Sequence, residues 1–204
     1  MLRLLRPTNP GWVAAVCGTL DAFLKDHAAN ERKVSGSALT LAVHYPERRP
    51  LVDAMVKLAR EELAHFGRVY ELLCQRGLSL GHGAPDPYMS ALRRLMRKRD
   101  VEEYLLDRLL VFGVVEARAC ERFGLLAAAL PEPALRAFYA ELARAEARHH
   151  GLFLRLARRS RGPWTHRRGW QRSSTPRRRS SRACRCAPRC TERHVRRARL
   201  LPTE

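Results

Sequence analysis

Residues 58–73 read LAREELAHFGRVYELL, and the fold turns on how this stretch is read. Leu58, Phe66, Val69 and Leu73 recur at three- and four-residue steps, the mark of one apolar helix face. Glu62 and His65 fall on that same face, three residues apart, where a leucine would stabilise better. Burying an unpaired carboxylate costs far more than a helix face of this size returns. The pair therefore needs a partner from elsewhere.

A second Glu-x-x-His answers it: Glu146 and His149, flanked by Leu142, Phe153 and Leu156. About one helix upstream of each pair stands a lone glutamate. Glu31, in DHAANERK, precedes Glu62 by 31 residues, and Glu116, in VVEARACERF, precedes Glu146 by 30. Glu116 shares a face with Leu109, Phe112, Cys120 and Phe123, so it too points inward. The two halves superpose with an offset of 85 for the lone glutamates and 84 for the Glu-x-x-His pairs.

Each half is thus a helix pair supplying one Glu and one Glu-x-x-His, the ligand pattern of ferritin-like di-iron and di-manganese carboxylate bundles. Four carboxylates offset the charge of two divalent ions, and two imidazoles complete the coordination while leaving positions free for oxygen. Residues i and i+3 project side by side from a helix, so one helix gives two ligands. A single Glu-x-x-His is usually a surface pair, and a lone inward Glu is more often bridged to an arginine, of which Arg32, Arg118, Arg122 and Arg148 are near in sequence. Six such residues in order, in a two-fold repeat, are much harder to obtain by accident. Glu61 has two readings: it orients a ligating imidazole from behind, or it is a solvated face residue. His27, one turn before Glu31, reads as a satisfied core histidine or a pocket-lining one. His150 lies about 100° round the helix from His149 and is left out of the site.

Working outward, Asn9-Pro10 predicts a helix start, with Gly18 as an interruption. Further helices are expected over about Leu20–Tyr45, Leu51–Arg76, Tyr88–Arg99, Val101–Leu130 and Pro133–Arg158, with loop over residues 77–87. No alternating strand pattern of useful length occurs. The expected class is all-α: a ferritin-like four-helix bundle with additional short helices, occupying residues 1–157.

The formal net charge of +19 is unevenly spread. Residues 158–204 hold 16 Arg, no Lys and two acids, leaving 23 basic against 18 acidic residues in the body. That Arg-rich tail has no apolar periodicity and is expected to be disordered, since it cannot bury enough to offset its ordering entropy. It reads either as a basic arm for nucleic acid or as a shifted reading frame of a GC-rich gene. Trp164, Trp170 and three close cysteines favour the second. Cys184, Cys186 and Cys190 carry only a weak zinc signal without an obvious fourth ligand. In the body, Cys17, Cys74 and Cys120 stand singly, which suits a reducing compartment. The run WVAAVCGTL is cut short by Asp21 and Lys25, so neither a secretory signal nor a membrane span is expected. The expected location is cytoplasmic.

DHAANERK, LAREELAHF, VVEARACERF and FYAELARAEARHH together resemble the bacterial tRNA 2-methylthio-N6-isopentenyladenosine hydroxylase family over about Asp21–Ala157. The flanks match as well as the candidate ligands, and LRRLMRKR resembles that family's basic helix. The resemblance implies a non-haem di-iron monooxygenase acting on adenosine 37, next to the tRNA anticodon. It would use molecular oxygen and electrons from an external reductase to hydroxylate the terminal allylic carbon of the isopentenyl group. Glu31, Glu62, His65, Glu116, Glu146 and His149 carry over as ligands of two iron ions, with no catalytic residue implied beyond them. For RNA contact the candidates are Arg93, Arg94, Arg97, Lys98 and Arg99, with Arg48 and Arg49, binding phosphates without base readout; a solvated basic face is the alternative. Family members continue past the second Glu-x-x-His helix with another amphipathic helix, and here the Arg-rich tail stands instead. Two other functions compete: an iron-handling or peroxide-removing protein of ferritin or rubrerythrin type, and a metal-free bundle that binds RNA.

Overall fold

The computed structural model describes residues 4–81 and 86–160; the Arg-rich tail beyond Ser160, with its expected disorder, reading frame and zinc signal, lies outside the described residues. Six helices follow in order: α1 (Trp12–Gly18), α2 (Leu20–His44), α3 (Arg49–Gln75), α4 (Pro87–Arg94), α5 (Val101–Ala129) and α6 (Pro133–Ser160). The described residues contain no strand. No helix among them is long and apolar enough to cross a membrane. Cys17, Cys74 and Cys120 are free thiols.

Local chemistry sets the ends of these helices. Asp100 caps α5, its carboxylate accepting from the backbone N–H of Glu102 and Glu103 at 2.9 Å each, and both glutamates favour the positive end of the helix dipole. Helix α3 closes in a Schellman motif. Gly77 takes φ +67, the Leu78 N–H bonds the Leu73 carbonyl, and the Gly77 N–H bonds that of Cys74. Leu78 then packs against the cluster that holds Leu73. The break between α1 and α2 falls at Thr19, beside the expected Gly18.

Two boundaries differ from expectation. Helix α1 begins at Trp12 because the Asn9 side chain accepts from the Gly11 N–H at 2.8 Å, closing a turn over Pro10 instead of capping a helix. The basic helix ends at Arg94 and does not reach Arg99. The Arg97 N–H donates to Asp107 Oδ2 at 2.8 Å, a long-range bond that takes the backbone out of helical register.

Helix α2 packs along α3, and α5 along α6, so each half of the repeat is a helical hairpin closed by a short loop. Along all four long helices the buried side chains run in the same order: apolar, polar, apolar. One apolar layer holds Leu41, Met55, Leu58, Leu105, Leu109 and Phe153. At the other end lie Leu24, Val69 and Leu73, with Phe123, Leu126, Tyr139 and Leu142. Between them sit Glu31, Glu62, His65, Glu116, Glu146 and His149, all buried. The interior is therefore two hydrophobic cores separated by one ionisable layer.

Leu109→Ala, in the apolar layer at 1% exposure, is expected to destabilise by about 2–5 kcal/mol, and Asp100→Ala by about 1 kcal/mol through loss of the α5 cap. Urea unfolding midpoints measure both; equal losses would contradict this division between core and cap.

Candidate metal centre

The polar layer is built by helix period. Glu62 and His65 sit one turn apart on α3, and Glu146 and His149 do so on α6, so each pair shares a face. Glu31 on α2 and Glu116 on α5 come in from the remaining helices. His65 Nδ1 lies 3.1 Å from Glu62 Oε2, 3.7 Å from Glu31 Oε2 and 3.8 Å from Glu146 Oε1. His149 Nδ1 lies 2.8 Å from Glu62 Oε1 and 3.3 Å from Glu146 Oε2. The six residues that the sequence singles out are thus brought together.

They form two donor groups, Glu31/Glu62/His65/Glu146 and Glu62/Glu116/Glu146/His149, each with its donor atoms within 4.8 Å of one another. Glu62 and Glu146 belong to both. A carboxylate has two oxygens, so Glu62 and Glu146 could each contribute to both donor groups were two cations held there.

The electrostatics of the layer bear on what these residues could hold. Burial and the neighbouring Glu146 carboxylate hold Glu116 well above the usual carboxylate range. Burial also acts to raise Glu62, but its close contacts with the His149 and His65 rings outweigh it, and Glu62 is lowered. Burial alone would lower both imidazoles. The surrounding carboxylates prevail, pushing His65 up to about 10 and His149 up to about 11. Oxygens remain unsatisfied all the same: Oε1 of Glu62, Glu116 and Glu146 are buried without a hydrogen-bond partner. The short approach of His149 Nδ1 to Glu62 Oε1 is an ion-pair contact that is not aligned as a hydrogen bond. Three buried carboxyl oxygens without a hydrogen-bond partner, facing one small volume, are what divalent cations would satisfy. The residues present fit such a group.

Behind the layer, further side chains hold the donors in place. Glu61 Oε2 lies 2.9 Å from His149 Nε2, so an Nε2–H donated outward leaves Nδ1 facing the carboxylates. His27 Nε2 lies 2.7 Å from Glu31 Oε1; with that N–H donated, Nδ1 accepts from the Tyr139 hydroxyl at 3.3 Å. Tyr139 was not legible as part of the site, although it stands two turns before Glu146 on the same face. His150, one residue past a candidate ligand, turns away and bonds the Gly113 carbonyl at 2.7 Å.

One cavity, of about 560 Å³, ends on the layer. It lies between α2 and α5, the two helices that carry the lone glutamates and are not packed along each other. Phe23, Val34, Phe112, Val115 and Phe123 wall it, and Glu31, Glu62, Glu116 and Glu146 form its floor. Neither His65 nor His149 lines it. The carboxylates thus present their open side to the cavity, and the imidazoles stand behind them.

The basic residues divide. Arg93 lines the cavity, while Arg94, Lys98 and Arg99 are exposed. Arg97 is committed to protein partners, Asp107 at 2.7 and 2.9 Å and Glu103 at 2.8 Å. Arg48 pairs with Glu102 and Glu47, and the exposed Arg49 lies 3.7 Å from Asp53.

Comparison with known proteins bears on this geometry. The family model described as tRNA-(MS[2]IO[6]A)-hydroxylase (MiaE) matches residues 2–166. A Pseudomonas putida protein named tRNA 2-(methylsulfanyl)-N(6)-isopentenyladenosine(37) hydroxylase is 39% identical over 151 residues, covering 74% of this chain and 73% of that one. A Salmonella typhimurium protein of the same name is 36% identical over 132 residues, covering 65% of this chain and 48% of that one, so the match spans about half its length. Among solved structures, "Protein 43 with aldehyde deformylating oxygenase activity from Synechococcus" superposes with a TM-score of 0.75 at 38% identity, covering 78% of this chain and 79% of that one. From a donor layer in a ferritin-like four-helix bundle and a family match that spans the described bundle, the chain belongs to the tRNA-(MS[2]IO[6]A)-hydroxylase (MiaE) family.

Proposed function

We propose that this chain is a tRNA-modifying monooxygenase that holds two iron ions in its polar layer and hydroxylates the isopentenyl group of 2-methylthio-N6-isopentenyladenosine at tRNA position 37. The observation that carries the reading is the pair of donor groups sharing Glu62 and Glu146, set at the floor of a cavity with apolar walls. Glu31 and His65 would complete one iron site, and Glu116 and His149 the other, with Glu62 and Glu146 serving both. When bound, the two irons supply activation of molecular oxygen: one oxygen atom enters the substrate C–H bond, and the other leaves as water with two electrons and two protons. The electrons come from an external reductase, and a tRNA substrate places the enzyme in the cytoplasm.

The chain's own residues do the rest. The aromatic and aliphatic walls bind a branched five-carbon chain and keep bulk water from the floor. Glu61 accepts the outward N–H of His149 and thereby aims Nδ1 inward. His27 holds Glu31 in the same manner, itself held by Tyr139. The base reaches the cavity by being splayed out of the anticodon loop, as unpaired RNA permits. Storing iron or removing peroxide requires no apolar cavity of this size above the carboxylates, so that alternative leaves the cavity without a purpose.

Three outcomes test the reading. In a strain lacking its own hydroxylase, the full chain should restore the hydroxylated nucleoside in digested tRNA, Glu62→Ala should abolish it, and Glu61→Ala should lower activity or iron affinity about 10–100-fold. A chain that carries iron but yields no product would leave iron handling as the better reading.

Glu116→Leu removes a buried carboxyl with an orphaned oxygen, so the metal-free variant should gain about 1–4 kcal/mol in stability while losing the melting-temperature rise that ferrous ion confers on the wild type. A metal-free variant less stable than wild type would count against it.

The imidazoles give a pH signature. Their folded pKa values lie above the unfolded value, so their contribution to metal-free stability is complete below about 6.5 and is lost as pH rises through about 10 for His65 and about 11 for His149. Ligation needs the neutral rings. The melting-temperature increment on adding ferrous ion without oxygen should therefore grow as pH is raised from about 6.5; a flat increment would show that the imidazoles do not bind the metal.

A further inference from the structure

We propose that Arg122, stacked on Trp12 at the rim of the cavity, is a specificity-determining contact that receives a backbone phosphate of the RNA strand whose base fills the cavity. The proposal rests on the hydroxylase reading for its choice of ligand and on observations of its own.

Arg122 and Trp12 both line the cavity whose floor is the carboxylate layer. The guanidinium carbon lies over the Trp12 ring, 5.1 Å from its centroid, a contact that occupies a face of the cation and none of its N–H donors. Arg122 Nε is buried and has no hydrogen-bond partner. No acidic side chain among the described residues lies within ion-pair distance of it. Desolvation, and then the nearby Arg118 charge, hold its pKa below the usual arginine value, outweighing the attraction of Tyr88, Glu121 and Asp86.

Neighbouring charges do not supply that partner. Arg118, one turn earlier, is spent on Glu121 at 2.6 Å, the Thr8 hydroxyl at 3.1 Å and the Arg6 carbonyl at 2.8 Å. Of the two acids on the rim, Asp26 accepts from Asn30 and Asp86 caps the Met89 N–H. Lys33 and Arg93, both exposed on the same rim, extend the positive field outward. A half-desolvated guanidinium with an unfilled donor favours an anionic oxygen, and the anion that accompanies a purine pushed into this cavity is its sugar–phosphate backbone. Arg122 thus differs from the exposed cluster after α4: it is half-buried and lines the cavity itself.

The test uses the full chain as wild type, Arg122→Gln and Arg122→Lys. Binding of an anticodon stem-loop RNA carrying the 2-methylthio-N6-isopentenyl base is followed by fluorescence anisotropy across a salt series. The Arg-rich tail is common to all three proteins and cancels in the differences. Arg122→Gln should weaken binding about tenfold and reduce the slope of log affinity against log salt by about one charge, whereas Arg122→Lys should keep most of the slope. In hydroxylation assays, the stem-loop should lose about tenfold more kcat/KM than the free nucleoside, which has no phosphate to offer. An unchanged salt slope in Arg122→Gln overturns the proposal, as does an equal loss on stem-loop and nucleoside, the result expected if Arg122 only props α1 through Trp12. RNA that the wild type fails to bind overturns it too. A slope change in a wild-type background that hydroxylates neither substrate sinks the hydroxylase reading and leaves the phosphate contact standing.

Discussion

Four carboxylates buried at one level of a helical bundle repel one another, and the rest of this molecule is arranged around that repulsion. Without cations the layer relieves part of it by holding protons: Glu116 is raised far above an ordinary carboxyl and both imidazoles are charged to high pH. That relief is incomplete, since three carboxyl oxygens keep no hydrogen-bond partner. Such a layer can exist only because each of the four long helices carries an apolar segment on both sides of it, so that two cores hold the charged level in place from above and below. Cations held there would complete a fold whose hydrophobic parts already fix the donor positions.

The internal repeat explains why the cavity is where it is. Each hairpin is tightly packed within itself, and the lone-glutamate helices α2 and α5 are not packed along each other. The gap between them opens on the carboxylates. Because the Glu-x-x-His helices α3 and α6 contribute only Glu62 and Glu146 to the cavity surface, their histidines are left on the far side. The repeat pairs α2 with α5 and α3 with α6, so it already sets the two sides of the layer apart. The added structure separates them further: α1 brings Trp12, and the segment from Asp86 through α4 brings Tyr88, Met89 and Arg93, all to the cavity side.

The helices and the six donors were legible because both follow from periodicity along one chain. The bundle class, the Gly77 stop and the inward face of each donor needed no knowledge of what lies across the interior. Residues whose role depends on a distant partner were not legible. The basic helix was expected to reach Arg99, and it stops at Arg94 because Asp107, ten residues past Arg97, captures its backbone N–H. His27 was weighed between core and pocket; it is both buried and pocket-lining, since Glu31 and Tyr139 satisfy its two nitrogens. Arg122 looked like one of several arginines available to neutralise a glutamate, yet among the described residues it makes no ion pair and lies over an aromatic ring 110 positions earlier.

The two sides of the donor layer differ in kind, and that difference bears on what each can exchange with solvent. On the cavity side the walls are apolar and the rim is rich in cations, which suits a bulky anionic strand carrying an apolar group. On the other side the route outward is short and polar: His149 Nε2 meets Glu61, and Glu61 lies 3.9 Å from the exposed Lys57. Glu61 is 35% exposed at its side chain, so a proton on that face is one residue from water, while the floor of the cavity is shielded by aromatic rings. A site of this form can hold an apolar group dry against its carboxylates and still keep a proton path to the surface, because the two requirements are met by different helices.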